Sequence, residues 1–129
     1  MRIEHIALWA RDVDGLSAFY VRHFGAMASP RYVNEKKRFA SIFLSFDSGA
    51  RLELMQRPDI LPAGDDPHVM QMGYTHMAIS VGSEQEVDAL TRKLEAEGCV
   101  RLDGPRRTGD GYYESVILDP EGNRIEITV

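Results

Sequence analysis

The sequence predicts an α+β fold made of two similar modules, each a strand, a helix and three further strands (βαβββ). The second half of the chain repeats the pattern of the first: "HFGA" corresponds to "AEGC", and "SFDSGARLEL" corresponds to "ILDPEGNRIEI". In each half, strand-like alternation gives way to helical spacing and then to a hairpin pattern. We therefore expect one domain over residues 1–129, with modules at 1–57 and 73–129 and a connector at 58–72.

The composition is that of a single globular domain. The 129 residues are 43% hydrophobic and 27% charged, which is enough to bury a core. The net charge is -5 and the cations are scattered, so nucleic acid is not expected as a partner. Charged residues interrupt the first twelve positions and no apolar run has transmembrane length, which predicts a cytoplasmic protein. The single Cys99 permits no internal disulfide and is expected to be packed rather than catalytic.

The first strand and helix are predicted from periodicity. Residues 3–9 alternate as in a half-buried strand, with His5 and Trp9 on one face and Ile6 on the helix-packing face. Asp12 or Asp14 could cap the helix that follows, and Gly25 could end it. The apolar positions at helical spacing are Val13, Leu16, Phe19, Tyr20 and Phe24.

The second module carries clearer signals. Ser83, with Glu86 three residues later, forms a capping-box pattern, and Gly98 marks the helix end. The apolar stripe of this helix is Val87, Leu90 and Leu94. Each helix is followed by a predicted hairpin, at 39–46 with 51–55 around "DSG" and at 112–118 with 124–129 around "DPEG".

Two histidines and two glutamates stand at matching positions of the two modules. His5 corresponds to His76, and Glu53 corresponds to Glu126. In their strands, the neighbouring apolar residues point to the other face, which is expected to pack on a helix. Two carboxylates in a partly dry cavity are costly unless a cation pairs with them. Imidazole and carboxylate groups suit zinc, nickel, cobalt, manganese or ferrous iron. The sequence therefore predicts a divalent metal site made of these four residues.

A structural role is the alternative for each residue taken alone. A strand histidine is often a packed residue, and Arg51 or Arg124 could pair with the glutamates on the same face. The repeat favours the metal site, because the structural explanation requires separate coincidences at matched positions in both modules.

The chain resembles the vicinal oxygen chelate superfamily, on the stretches "IEHIAL", "GYTHMAISV" and "LDPEGNRIEI". This superfamily includes glyoxalase I, methylmalonyl-CoA epimerase, extradiol dioxygenases, fosfomycin resistance enzymes and bleomycin-binding proteins. The resemblance covers nearly the whole chain and implies a curved mixed sheet around a metal-containing cavity. The ligand order His, Glu, His, Glu is similar to that of bacterial glyoxalase I (lactoylglutathione lyase). This similarity implies that the bound metal is nickel or zinc, with cobalt, manganese or iron as alternatives. It also implies a homodimer in which each metal site is shared between the two chains.

The reaction implied by this resemblance is the isomerisation of a hemithioacetal, formed from a 2-oxoaldehyde and a thiol, through a metal-bound enediolate. Glu53 or Glu126 would be both metal ligand and catalytic base. Family members that use glutathione have an arginine where this sequence has Trp9, and often an asparagine where it has Arg57. We therefore expect a different small vicinal-oxygen substrate.

Five residues are expected to contact that substrate. Trp9 could stack on a planar group, although a core or interface position is the alternative, and Arg106 could bind an anion. The full set is Trp9, Arg57, Arg106, Tyr112 and Tyr113, with Glu114 on the same wall of the cavity.

The two other functions that remain open are a drug-binding dimer without catalysis, similar to bleomycin resistance proteins, and an oxygen-using ferrous enzyme. Retention of four ligands favours the lyase or isomerase.

Overall fold

The computed structural model describes residues 1–62, 64, 66–70 and 72–129. Three residues of the predicted connector, Ala63, Asp65 and Gln71, lie outside these described residues. The chain divides into two compact units, Met1–Ala63 and Gly64–Val129, and the division falls inside the predicted connector. Within the described ranges, no helix has the length and apolar character needed to cross a membrane.

The first unit is a mixed sheet covered on one face by a helix. Strand β1 runs parallel to β5, and the remaining pairs are antiparallel, in the order β1-β5-β4-β2 with β3 also paired to β4. Its elements are β1 (His5–Trp9), α1 (Val13–Phe24), β2 (Met27–Ala28), β3 (Tyr32–Asn34), a 3₁₀ turn (Glu35–Lys37), β4 (Phe39–Ser45) and β5 (Arg51–Gln56).

The strand after α1 is split into β2 and β3, whereas one strand was predicted. Ser29 lies at the break, where its N–H donates to the Phe43 carbonyl at 2.8 Å and its hydroxyl accepts from the Phe43 N–H at 3.0 Å. Pro30 follows and has no N–H to continue the ladder. This outer strand is therefore interrupted.

The second unit has the βαβββ order that the repeat predicts, which confirms the fold class. Strand β6 is parallel to β9, and the sheet order is β6-β9-β8-β7. The register of β7 against β8 shifts twice, on either side of Asp103, so the ladder of this outer strand is irregular. The elements are β6 (Met77–Ser80), α2 (Glu84–Ala96), β7 (Arg101–Arg107), β8 (Tyr113–Leu118) and β9 (Arg124–Thr128). Both sheets are curved.

The helix ends use the predicted capping residues. Asp12, rather than Asp14, caps α1 by accepting a hydrogen bond from the Gly15 N–H at 3.0 Å. Gly25 ends α1 in the left-handed conformation, at φ 65°. Ser83 caps α2 by accepting from the Glu86 N–H at 3.2 Å. These local interactions fix where each helix begins on its sheet.

Each helix covers the apolar face of its own sheet and leaves the other face to polar side chains. Leu52 and Leu54 of β5 are buried in the first unit, and Ile125 and Ile127 of β9 are buried in the second. Ile6 differs from the prediction because it remains 39% exposed. Strand β1 lies at the edge of its sheet, and α1 packs mainly on β4 and β5.

A buried hydroxyl pair joins α2 to its sheet, and its removal should lower stability. The Oγ1 of Thr91 lies 2.6 Å from the Oγ of Ser115 and donates to the Val87 carbonyl at 2.6 Å. Thr91→Val leaves the Ser115 hydroxyl buried without this partner, so the free energy of unfolding should fall by about 1–3 kcal/mol, measured by urea denaturation. Thr91→Val with Ser115→Ala should cost less than the sum of the two single changes. An additive cost would contradict this coupling.

Candidate metal centre

The first histidine and glutamate lie together on the polar face of their sheet. His5 is opposite Arg51 and Ala7 is opposite Glu53 in the β1–β5 ladder, so His5 and Glu53 share a face. The Nε2 of His5 is 3.8 Å from the Oε2 of Glu53. The Glu53 side chain is only 15% exposed, and its carboxylate therefore lacks much of its hydration.

The second unit repeats this pair. His76 directly precedes β6, and Ala78 of that strand is opposite Glu126 in β9. The Nε2 of His76 is 3.4 Å from the Oε2 of Glu126, whose side chain is 17% exposed. The matched sequence spacing therefore produces matched contacts in both units.

The imidazole orientation suits metal binding through Nε2. In each ring the other nitrogen contacts a neighbouring side chain: the Nδ1 of His5 is 2.5 Å from the Oε2 of Glu4, and the Nδ1 of His76 is 3.1 Å from the Oγ1 of Thr75. Two atoms that each bind a tetrahedral ion at about 2.1 Å lie about 3.4 Å apart, close to both His–Glu separations. Among the described residues, no group of three or more His, Cys, Asp or Glu side chains could hold a metal ion. Each unit thus supplies two donors of a suitable kind.

A second carboxyl group lies beside Glu126. Glu114 of β8 is buried on the same sheet face as Glu126, and the Nη1 of Arg106 is 3.8 Å from the Oε1 of Glu114. Burial raises the pKa of the Glu114 carboxyl, and the neighbouring Glu126 raises it further. This crowding of carboxyl groups would be relieved by an additional cation.

The two arginines considered as partners of the glutamates make other contacts. The Nε of Arg51 donates to Glu4 at 2.9 Å, and its guanidinium carbon lies 4.2 Å from the centre of the Phe43 ring. Arg124 donates to the carbonyl of Pro67. These contacts leave Glu53 and Glu126 facing their histidines.

Two of the predicted substrate residues lie on the same faces as the His–Glu pairs. Trp9 is 40% exposed on the His5 face, and its ring meets Phe39 edge-on at 6.3 Å. Arg106 is opposite Glu114 in the β7–β8 ladder and forms an ion pair with Asp103 at 2.5 Å. An apolar ring and a guanidinium are thus available next to the candidate donors.

The other predicted substrate residues are placed differently. Arg57 donates to Asp59 at 2.9 Å and lines a separate open cavity of ≈ 390 Å³ in the first unit. Tyr112 is 55% exposed in the turn before β8. The Tyr113 hydroxyl donates to Asp88 of α2 at 2.8 Å, on the helix side of the sheet. Tyr113 and Glu114 are consecutive strand residues that face opposite sides, so the expectation that both line one wall is corrected.

Glu4 and Thr75 were not identified from the sequence. Each directly precedes a candidate ligand, and alternation along a strand would place it on the opposite face. Both lie before their strands begin, where that rule does not apply. The available signal was the opposite charge of Glu4 and Arg51.

The remaining candidate groups lie apart from the two pairs. Burial raises the pKa of the half-buried Cys99 thiol, which makes it a poor nucleophile at neutral pH. His23 packs against the Phe19 ring at 4.9 Å between centroids, and the His68 N–H donates to Asp66 at 2.8 Å.

Comparison with known proteins identifies the family. The sequence pattern of the Glyoxalase/Bleomycin resistance protein/Dioxygenase superfamily matches residues 2–127. The chain is 26% identical to the uncharacterized protein PA2024 of Pseudomonas aeruginosa, over 98% of this chain and 86% of that protein.

Solved structures share the fold. SMU.1112c is similar with a TM-score of 0.81 and 21% identity, over 100% of this chain and 98% of that one. The trypanothione-dependent glyoxalase I of Leishmania major is similar with a TM-score of 0.75 and 21% identity, over 99% and 86% of the two chains. At these identities the likeness shows the fold alone. Because the superfamily pattern extends over nearly the whole chain and the fold agrees with it, this protein belongs to the glyoxalase/bleomycin resistance protein/dioxygenase superfamily.

Proposed function

We propose that this protein is a divalent-metal-dependent lyase or isomerase of glyoxalase type. Its substrate would be a small molecule with vicinal oxygens, such as the hemithioacetal of a 2-oxoaldehyde. The observation that carries the proposal is the pair of matched His–Glu contacts, at 3.8 Å for His5 with Glu53 and 3.4 Å for His76 with Glu126. A binding protein without catalysis has no need of two such pairs.

His5, Glu53, His76 and Glu126 would hold the ion in this proposal. When bound, a divalent ion would supply positive charge at the substrate oxygens and so make the neighbouring C–H more acidic. Glu53 or Glu126 would accept the proton and return it to the adjacent carbon. Glu114 would keep a second, buried carboxyl group on the same sheet face as Glu126 during this transfer.

Trp9 and Arg106 would orient the substrate. The exposed Trp9 ring offers an apolar surface, and Arg106 offers a positive charge on the Glu126 face. Because Trp9 and Arg57 stand at the positions that grip glutathione in related enzymes, we propose another thiol, or a substrate without one.

The complete site would form in a homodimer. Each unit supplies one histidine and one glutamate, so four ligands require a first unit and a second unit together. We propose that these come from different chains, which gives two shared sites related by a two-fold axis.

Metal content and turnover should be measured on one preparation. Protein stripped with a chelator is loaded in turn with nickel, zinc, cobalt or manganese, and elemental analysis should give about one ion per chain. The metal-loaded protein is then incubated with methylglyoxal and each of a panel of thiols. We expect metal-dependent hydroxyacyl thioester formation, slower with glutathione than with another thiol, and its loss in Glu53→Gln or Glu126→Gln.

The other functions give different results in this experiment. Binding of bleomycin by metal-free protein, with no metal uptake and no turnover, would indicate the drug-binding function. Oxygen consumption by ferrous-loaded protein would indicate the dioxygenase function. Efficient turnover with glutathione would show that Trp9 and Arg57 do not exclude it.

A further inference from the structure

His5 is held in a closed ring of four contacts. Its Nδ1 is 2.5 Å from Glu4, and Glu4 accepts from the Nε of Arg51 at 2.9 Å. The Arg51 guanidinium lies 4.2 Å from the centre of the Phe43 ring, and the edge of that ring meets the His5 ring at 5.5 Å and 84°. We call Glu4, Arg51 and Phe43 the His5 cage. Each of the four residues contacts two others of the ring of contacts. The imidazole is therefore restrained at Nδ1 by Glu4 and through its ring by Phe43.

The second unit has no equivalent arrangement at the matching positions. Thr75 stands where Glu4 stands, and Val116 is opposite Glu126 as Phe43 is opposite Glu53. Arg124, which matches Arg51, donates to the Pro67 carbonyl. Among the described residues, the Nδ1 of His76 contacts the Thr75 hydroxyl at 3.1 Å, where the Nδ1 of His5 contacts the Glu4 carboxylate of the cage.

The two neighbours differ in what they can demand of an imidazole. An ionised carboxylate only accepts hydrogen bonds. In a neutral His5 imidazole, Glu4 at 2.5 Å therefore requires the proton on Nδ1, because Glu53 at 3.8 Å is beyond hydrogen-bonding distance, and the Nε2 lone pair is left on the Glu53 side. A hydroxyl donates or accepts, so Thr75 is compatible with either neutral form of His76. The carboxylate selects one tautomer and the hydroxyl does not.

We propose that Glu4 is a positioning residue that, anchored by Arg51, fixes His5 in the tautomer with a free Nε2. The half-site of His5 and Glu53 is then organised before a ligand arrives, whereas the half-site of His76 and Glu126 is not. The part of this inference that concerns metal affinity rests on the proposed function.

The first test is made on metal-free protein. Long-range ¹H–¹⁵N NMR spectra at about pH 8, where an ordinary imidazole is neutral, report which ring nitrogen carries hydrogen. We expect one tautomer with hydrogen on Nδ1 for His5 and a mixture for His76. Glu4→Ala should convert His5 to a mixture, and Glu4→Asp should restore part of the preference. An unchanged His5 tautomer in Glu4→Ala would overturn the inference.

The second test measures metal affinity by competition with a chelator. Glu4→Ala should weaken binding about 10–100-fold, as expected for loss of an outer partner of a ligating histidine, and Thr75→Ala should cost less. A second variant, Glu4→Gln, removes the charge and keeps a side chain of similar size. Its control is Glu86→Gln, because Glu86 is an exposed glutamate at the start of α2 and the charge change is the same.

The outcomes separate this inference from the proposed function. If unchanged protein binds no metal, the proposed function fails and the NMR result alone decides the role of Glu4. If metal binds with the same affinity in Glu4→Ala, the positioning role fails while the metal site stands. If Glu4→Ala does not fold, Glu4→Gln is used, since its amide can also donate and should weaken the tautomer preference.

Discussion

His5→Ala or His76→Ala is expected to abolish tight binding of a divalent metal ion. Each change removes one of four proposed donors and leaves Glu53 or Glu126 without the imidazole at 3.8 Å or 3.4 Å. Loss of an outer partner alone costs about 10–100-fold in affinity, so loss of a ligand should cost more than about 100-fold. Elemental analysis after gel filtration measures the retained metal.

His68→Ala is the matched control for these two changes. His68 is an exposed histidine whose backbone, rather than its ring, makes the contact with Asp66. Circular dichroism should show that all three variants are folded. Full metal content in both His5→Ala and His76→Ala would refute the proposed site.

Mixing the two inactive variants should restore part of the metal binding. If each site takes His5 and Glu53 from one chain and His76 and Glu126 from the other, a heterodimer of His5→Ala with His76→Ala has one intact site. Its other site lacks both histidines. Random exchange makes about half of the dimers mixed, so about one quarter of all sites should regain metal.

The extent of subunit exchange must be measured independently. Isotopic labelling of one variant lets native mass spectrometry count the mixed dimers, and two samples of His5→Ala mixed together serve as the control. If mixed dimers form and no metal returns, the ligands come from one chain. The shared-site dimer is then wrong, even if the metal site itself is correct.

The fold could be predicted from the sequence because its main signals are local. Ser83 and Asp12 cap helices as expected, and alternation places Leu54 and Ile127 in the cores. Ile6 shows the limit of this reasoning. Alternation gives the face of a strand but not its place in the sheet, and an edge strand is only partly covered by the helix.

The candidate site was only partly predictable for a similar reason. The repeat predicted four candidate donors, and the structure places them as two His–Glu pairs, one in each unit. The Nδ1 partner of His5, Glu4, lies before β1 begins, where strand periodicity does not report which way a side chain points. Tyr113 was predicted to line one wall together with its neighbour Glu114, but alternation along β8 turns its side chain to the helix side of the sheet.

Irregular outer strands make one edge of each sheet a poor template for unwanted association: β2 with β3 in the first unit and β7 in the second. An unpaired strand edge offers a row of N–H and C=O groups on which another chain can assemble, as in amyloid growth. The break at Ser29 and Pro30 leaves pieces of two and three residues in β2 and β3, and β7 carries two register shifts and Pro105. Neither edge presents a long, regular template. The edges formed by β2 with β3 and by β7 can therefore remain beside the polar sheet faces without offering a regular template for aggregation.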